Sequence, residues 1–292
     1  MLFATFVASS LAVAAVALPT QKRADVPTAT DILQYALTLE HLEAAFYSQY
    51  LDQFDAAAFE KDGYAPWVRG RFEQIAQHEA THVSFLSSAL GDAATKACTY
   101  KFPVTDPKSF VALSQILEGV GVTAYLGAAQ FLTADLVPVA GSILTTEARH
   151  AAWVGSAVSQ GTPWSGAFDT PQTLDEVYSL ASSFITGCPS SNPALPVKAF
   201  PALTVGPAAP AAGSSVTLTF DGAADGQFLA LMTGLTPKFV PISSGKATLP
   251  AGLQGTVYAV VSKNGTAVSD EDTVAGPAIL SFPFDSYASN PQ

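Results

Sequence analysis

The sequence predicts a multidomain protein of separate α and β parts: a four-helix bundle with an extra helix, followed by a small immunoglobulin-like β-sandwich. Three observations predict it. Up to about residue 188, apolar residues recur at steps of three and four, the period of amphipathic helices. From residue 199 onward, the chain breaks into short β-rich runs separated by Gly, Pro, Asn and Asp. Between the two, residues 189–198 (PSSNPALPVK) carry three prolines and read as a linker. An apolar content of 49% against 13% charged suits folded domains, and 292 residues suffice for two.

The elements follow in order. Thr28 to Asp31 offer N-caps for a first helix running to about Leu51. Its inward stripe reads Leu33, Leu37, Glu40, Ala44, Tyr47 and Leu51, a bundle seam with a carboxylate in its middle. Residues 52–65 form a connector with the turn signal Lys61-Asp62-Gly63. Pro66 opens a second helix to about Leu90, with Phe72, Ile75, Glu79, His82 and Leu86 inward. Asp106-Pro107 starts a third, to about Asp135, with Ser114, Glu118, Gly121 and Tyr125 on its stripe. Gly119, Gly121 and Gly127 lower its helix propensity and are expected to admit a neighbour closely. Pro138 opens a fourth helix, with Ile143, Glu147, His150, Val154 and Val158 inward. The capping box Thr173-x-x-Glu176 opens a fifth, to about Thr186. In the β part, SSVTLTF, QFLALMTGL, KATLPAG, GTVYAVVSK and PAILSFPF read as strands of a sandwich. That part has no His and no Cys, and is expected to separate on proteolysis within 189–198.

Residues 1–18 (MLFATFVASSLAVAAVAL) are apolar and uncharged, as in a secretory leader, and Lys22-Arg23 resembles a dibasic processing site. Residues 1–23 are therefore set apart as signal peptide and propeptide, leaving a helical domain over 24–188, the linker, and a β-domain over 199–292. Export makes a disulfide the expected state of Cys98 and Cys188. It also makes the sequon Asn264-Gly265-Thr266 a glycosylation candidate. The localisation that follows is secreted, extracellular or cell wall. No segment after the leader is expected to be long and apolar enough to cross a bilayer, so no membrane anchor is expected. A net charge of −11 argues against nucleic acid as a partner.

Four polar intrusions interrupt the apolar stripes. They are Glu40, Glu79 with His82, Glu118, and Glu147 with His150. Residues three apart share a helix face, so each Glu-x-x-His pair projects together. Half of the chain's four histidines are used in these pairs. A carboxylate on an apolar face is costly unless it is paired or binds metal, and four on one seam repel one another. One Glu from each of two helices and Glu-x-x-His from each of two others is the ligand set of a dinuclear site inside a bundle. Oxygen and imidazole donors suit iron or manganese, and zinc is also compatible. Glu43, one turn after Glu40, is the rival ligand on the first helix, or else supports the ligands from behind. Tyr47 and Tyr125 lie two turns beyond Glu40 and Glu118, an internal echo between two hairpins. Each is either a core residue with a satisfied hydroxyl or a hydrogen-bond partner of the site. His41 and His78 each adjoin a ligand in sequence, about 100° around the helix, and are expected at the surface or in caps.

The stretch ALTLEHLEAAFYSQY and the two Glu-x-x-His motifs resemble the ferritin-like domain of desiccation-related and fungal stress-response proteins, including the late sexual development proteins. The resemblance covers about residues 28–188. FVPI at 239–242 and DTVAGPAILSF at 272–282 are similar to the fungal branch of that family. It implies a ferritin-like four-helix bundle and a site for two divalent metal ions, iron or manganese. It also implies a context of oxidative, desiccation or developmental stress. Two function classes follow. One is a secreted di-metal oxidoreductase, oxidase or catalase-like, acting on oxygen species. The other is a non-enzymatic extracellular or cell-wall protein in which metal is absent or only stabilises the bundle, and the β-domain docks to a cell-wall or protein partner.

Overall fold

The computed structural model describes residues 26–289, so the leader expected over 1–23 lies outside the described residues. Six helices build the N-terminal part. α1 (Ala29–Gln53) begins at a capping box: Thr28 Oγ1 accepts from the Asp31 amide, and the Asp31 carboxylate accepts from the Thr28 amide. α2 (Ala56–Lys61), capped by Asp55, lies inside the stretch expected to be a plain connector. Six residues are too few to hold a helix by propensity. α2 is held by its one buried side chain, Phe59, which packs against Phe72 and Phe110. α3 (Trp67–Leu90) follows, then α4 (Pro107–Ala128), which starts at Asp106 with Pro at its first position. α4 stops well short of Asp135, in a 3-10 turn over Ala129–Phe131. α5 (Val137–Trp153) continues into a π-helical turn over Val154–Val158. α6 (Leu174–Ser182) opens at the Thr173–Glu176 capping box.

α1 packs along α3 and α4 along α5, and the two hairpins meet through α1 and α4. Their shared core is rich in rings: Phe46 stacks on Phe110 at 5.0 Å, and Phe72 meets Phe110 edge-on at 4.9 Å. Cys98 and Cys188 are bonded to each other. The bond sits beside a two-stranded ribbon of β1 (Thr99–Tyr100) and β2 (Ile185–Gly187), which claims residues expected to end the last helix. Together they staple the chain after α6 to the chain after α3.

Seven further strands follow: β3 (Thr204–Gly206), β4 (Ser215–Thr219), β5 (Phe228–Met232), β6 (Lys238–Pro241), β7 (Lys246–Thr248), β8 (Gly255–Ser262) and β9 (Thr273–Phe282). They form a separate β-sheet region of two antiparallel sheets, ordered β3-β4-β7 and β6-β5-β8-β9. β3 and β6 were not among the expected strands. Successive side chains of a strand point to opposite faces. Leu229 and Leu231 of β5, with Val257, Ala259 and Val261 of β8, pack toward the three-stranded sheet. Ala230, Met232, Tyr258 and Val260, between them, belong to the core cluster of the helices. The four-stranded sheet is thus buried on both faces, one against helices and one against its partner sheet.

Residues 199–292, expected as a β-domain of their own, thus share an apolar interface with the helices. A sheet covered on both faces reads as continuous apolar runs, as in FLALM and VYAVV, where a half-exposed sheet alternates. The proline-rich stretch 189–198 is also fastened to the helices. Asn192 exchanges bonds with both backbone groups of Lys96, at 2.7 and 2.9 Å, and the Lys198 amide donates to Asp175 at 3.1 Å. One correction concerns hydropathy. Pro107–Phe131 is long and apolar enough by length and composition to cross a membrane, contrary to expectation. Its apolar window is 72% buried inside the protein, as befits the central helix of a core.

Candidate metal centre

Each of the four long helices delivers its carboxylate to one point in the bundle. Glu40 on α1, Glu79 on α3, Glu118 on α4 and Glu147 on α5 are all buried, and Glu79, Glu118 and Glu147 are fully so. The helix period accounts for the pairing: His82 follows Glu79 by three residues, and its Nδ1 lies 3.1 Å from the Glu79 carboxylate. The same Nδ1 is 3.3 Å from both Glu40 and Glu147. His150 Nδ1 lies 3.0 Å from Glu118 and 3.3 Å from Glu79. Two donor sets result, each with ligand-type atoms within 4.8 Å of one another: Glu40, Glu79, His82 and Glu147, and Glu79, Glu118, Glu147 and His150. All six predicted residues are brought together, with Glu79 and Glu147 common to both sets.

Several of these oxygens have nothing to bond. Glu40 Oε2, Glu79 Oε1 and both carboxylate oxygens of Glu147 are buried without a hydrogen-bond partner. Three of them lie 3.3 Å from an imidazole nitrogen, but not in hydrogen-bonding geometry. Orphaned acceptors of this kind are rare in folded proteins and call for a cation or a proton. The electrostatics agree. Burial, compounded by Glu147, holds Glu79 well above the usual carboxylate range, and burial with Glu118 does the same to Glu147. Glu118 is pushed up to about 8, by burial first and Glu79 second. Burial alone would lower His82, but the carboxylates of Glu147, Glu40 and Glu79 around it overturn that and raise it to about 12. The donor types, their convergence and the unbonded oxygens fit metal-ion binding.

The tyrosines resolve the alternative left open by their spacing. Tyr47 on α1 donates to Glu118 on α4, and its oxygen is also 2.8 Å from Ser114 Oγ. Tyr125 on α4 donates to Glu40 on α1. Each hairpin therefore holds the other's glutamate, and the internal echo in the sequence becomes a crossed pair of bonds. Glu43 is buried beside the cluster but joins neither donor set. Gly121 supplies the space: a Cβ there would lie 3.2 Å from both Glu43 Oε1 and Glu147 Oε2. His41 bonds the Thr95 carbonyl at 3.1 Å, in the loop beyond the turn that ends α3.

His78 departs from expectation. Its Nδ1 is 2.9 Å from His150 Nε2, and the two rings stack at 5.1 Å. The residue was placed off the face because it is about 100° from Glu79. The spacing that mattered was to His82, four residues on, which puts His78 on the edge of the same stripe. From there it touches the nitrogen of His150 that faces away from the carboxylates.

Residues 28–160 match the family model described as "Ferritin-like domain". The helical part is thus similar to ferritin-like domains. Protein rds1 of Schizosaccharomyces pombe is 31% identical to this chain over 175 residues, which is 59% of this chain and 42% of rds1. The chain therefore spans less than half the length of that relative. The ferritin-like match ends soon after His150, so the capping box of α6 and the two β-sheets lie outside it.

Proposed function

We propose that the ferritin-like domain holds two divalent metal ions, iron or manganese, and that the loaded centre reacts with oxygen species. The observation that carries this reading is the sharing of Glu79 and Glu147 between two donor sets, with their oxygens left unbonded. Two adjacent redox metals supply a two-electron couple suited to peroxide disproportionation or substrate oxidation. Glu40, Glu79, His82 and Glu147 would hold one ion, and Glu79, Glu118, Glu147 and His150 the other. Tyr47 and Tyr125 fix the outer glutamates and keep a hydroxyl proton beside each. His78 fixes the ring of His150. The His82 side chain is 13% exposed and that of His150 7%, so the His82 end of the cluster is slightly the more open.

We also read the protein as exported and tied to oxidative, desiccation or developmental stress. The apolar leader, the disulfide and the sequon support the first, and the family resemblance supports the second. At Asn264, the amide that would carry a glycan donates to Asp272 at 3.2 Å, so attachment requires that bond to open. The three- and four-stranded sheets support an immunoglobulin-like reading of the β region, with its outer surface left to meet a cell-wall or protein partner. Elemental analysis with a peroxide-consumption assay tests the central reading. The protein should carry about two iron or manganese ions per chain, and His150→Ala should lose metal and peroxide consumption together. Full metal content in both His82→Ala and His150→Ala would overturn it.

A further inference from the structure

A cavity of about 440 Å³ lies where α1, α4 and α6 meet the chain at 199–203 and β9 at Gly276-Pro277. Its size falls within the range of small-molecule sites, roughly 300–1,000 Å³. The walls are apolar, from residues such as Leu42, Leu117, Val120 and Ile279. Three serines also line it, but their hydroxyls are engaged locally. Ser179 donates to Asp175 O at 2.6 Å and accepts from the Phe200 amide, Ser182 donates to Ser179 O, and Ser183 donates to Leu180 O. Glu43 is the one ionisable side chain among the described lining residues.

Glu43 is also where the cavity meets the metal cluster. Gly121 lines the cavity, and the point its missing Cβ would occupy is 3.2 Å from Glu43 Oε1 and 3.2 Å from Glu147 Oε2. A ligand group beside Glu43 therefore stands next to a carboxylate common to both donor sets. A negatively charged head would add to the carboxylates already crowded there, so a neutral head is favoured over an anionic one. A hydroxyl can donate to a carboxylate oxygen, and an aliphatic tail matches the walls.

We propose that this cavity binds a neutral, medium-chain aliphatic alcohol, with its hydroxyl on Glu43 and its tail between the helices and the β region. Its standing as a substrate rests on the metal reading above; its binding does not. The β region then has a part in the site, since Gly276, Pro277 and Ile279 close one wall.

The test is calorimetric titration of the full chain with 1-decanol and with decanoate, in metal-free and manganese-loaded forms. Decanol should bind saturably, one per chain, and decanoate at least about tenfold more weakly. Glu43→Leu should weaken decanol binding by at least about tenfold. Ala202→Trp, at an exposed position of the lining, should do the same while keeping the manganese content and circular dichroism of the wild type. Absence of saturable binding, or unchanged affinity in both variants, overturns the proposal. A chain that binds decanol but loads no metal overturns the metal reading and leaves the cavity standing. A chain that loads metal but binds no decanol does the reverse.

Discussion

Tyr47 and Tyr125 each reach across the bundle to the glutamate of the other hairpin, so each positions a candidate ligand on a helix not its own. Groups that orient metal ligands are worth about 10–100-fold in metal affinity. Tyr47→Phe, Tyr125→Phe and His78→Ala should each weaken metal binding by that order in a competition titration, while His41→Ala should not. The six candidate ligands were legible because helix spacing places them, and each needed only its own helix to be read. His78 was misplaced because its partner is on another helix, and sequence periodicity says nothing of which neighbour an edge residue meets. Glu176 offers a separate test by pH. Burial, with Asp270 and Asp175 adding to it, pushes this carboxyl to about 8 from an ordinary 4.5. The folded chain keeps a proton that the unfolded chain releases at lower pH. The stability this lends is full below about 4.5 and is lost as pH rises through about 8. Chemical denaturation across that window should show a decline that Glu176→Gln flattens by an amount on the order of a few kcal/mol.

At the scale of elements, α4 is the helix most constrained by its neighbours. An exposed Gly→Ala change inside a helix stabilises by about 1 kcal/mol through propensity. Gly127 should go the other way, because its Cβ would fall 1.8 Å from the backbone oxygen of Gln172. Gly127→Ala should cost ~3 kcal/mol in denaturant unfolding, since backbone rather than a flexible side chain must yield. Gly141, with open space around it, is the control and should be neutral or gain. Of the α4 glycines expected to admit a neighbour closely, Gly127 and Gly121 do so, whereas a Cβ at Gly119 would make only ordinary contact with the Tyr258 hydroxyl. The long helices and their caps were legible from local signals, Thr28, Asp106 and Thr173 among them. α2 and the β1–β2 ribbon were not, since Phe59 and a disulfide hold them from a distance.

At the scale of the molecule, the two parts share one apolar cluster through Tyr258, Val260 and Met232, and the chain between them is pinned at Asn192 and Lys198. Heat should therefore unfold them in a single calorimetric transition; two resolved transitions would show that the interface contributes little. Replacing Cys98 and Cys188 by Ser should lower stability by ~4–5 kcal/mol in the chain-entropy account, because the bond spans 90 residues. The central claim is that the buried carboxylates repel one another without metal and are stabilised by it. Binding energy for a metal held only by the folded chain is folding energy. The most direct measurement is the melting temperature of the wild type and Glu147→Gln, each with and without manganese or iron. The account predicts a crossing: metal raises the wild type strongly and the variant little, while without metal the variant melts at or above the wild type. A variant that melts below the wild type by the same margin in both states, or a wild type that metal leaves unmoved, would contradict it.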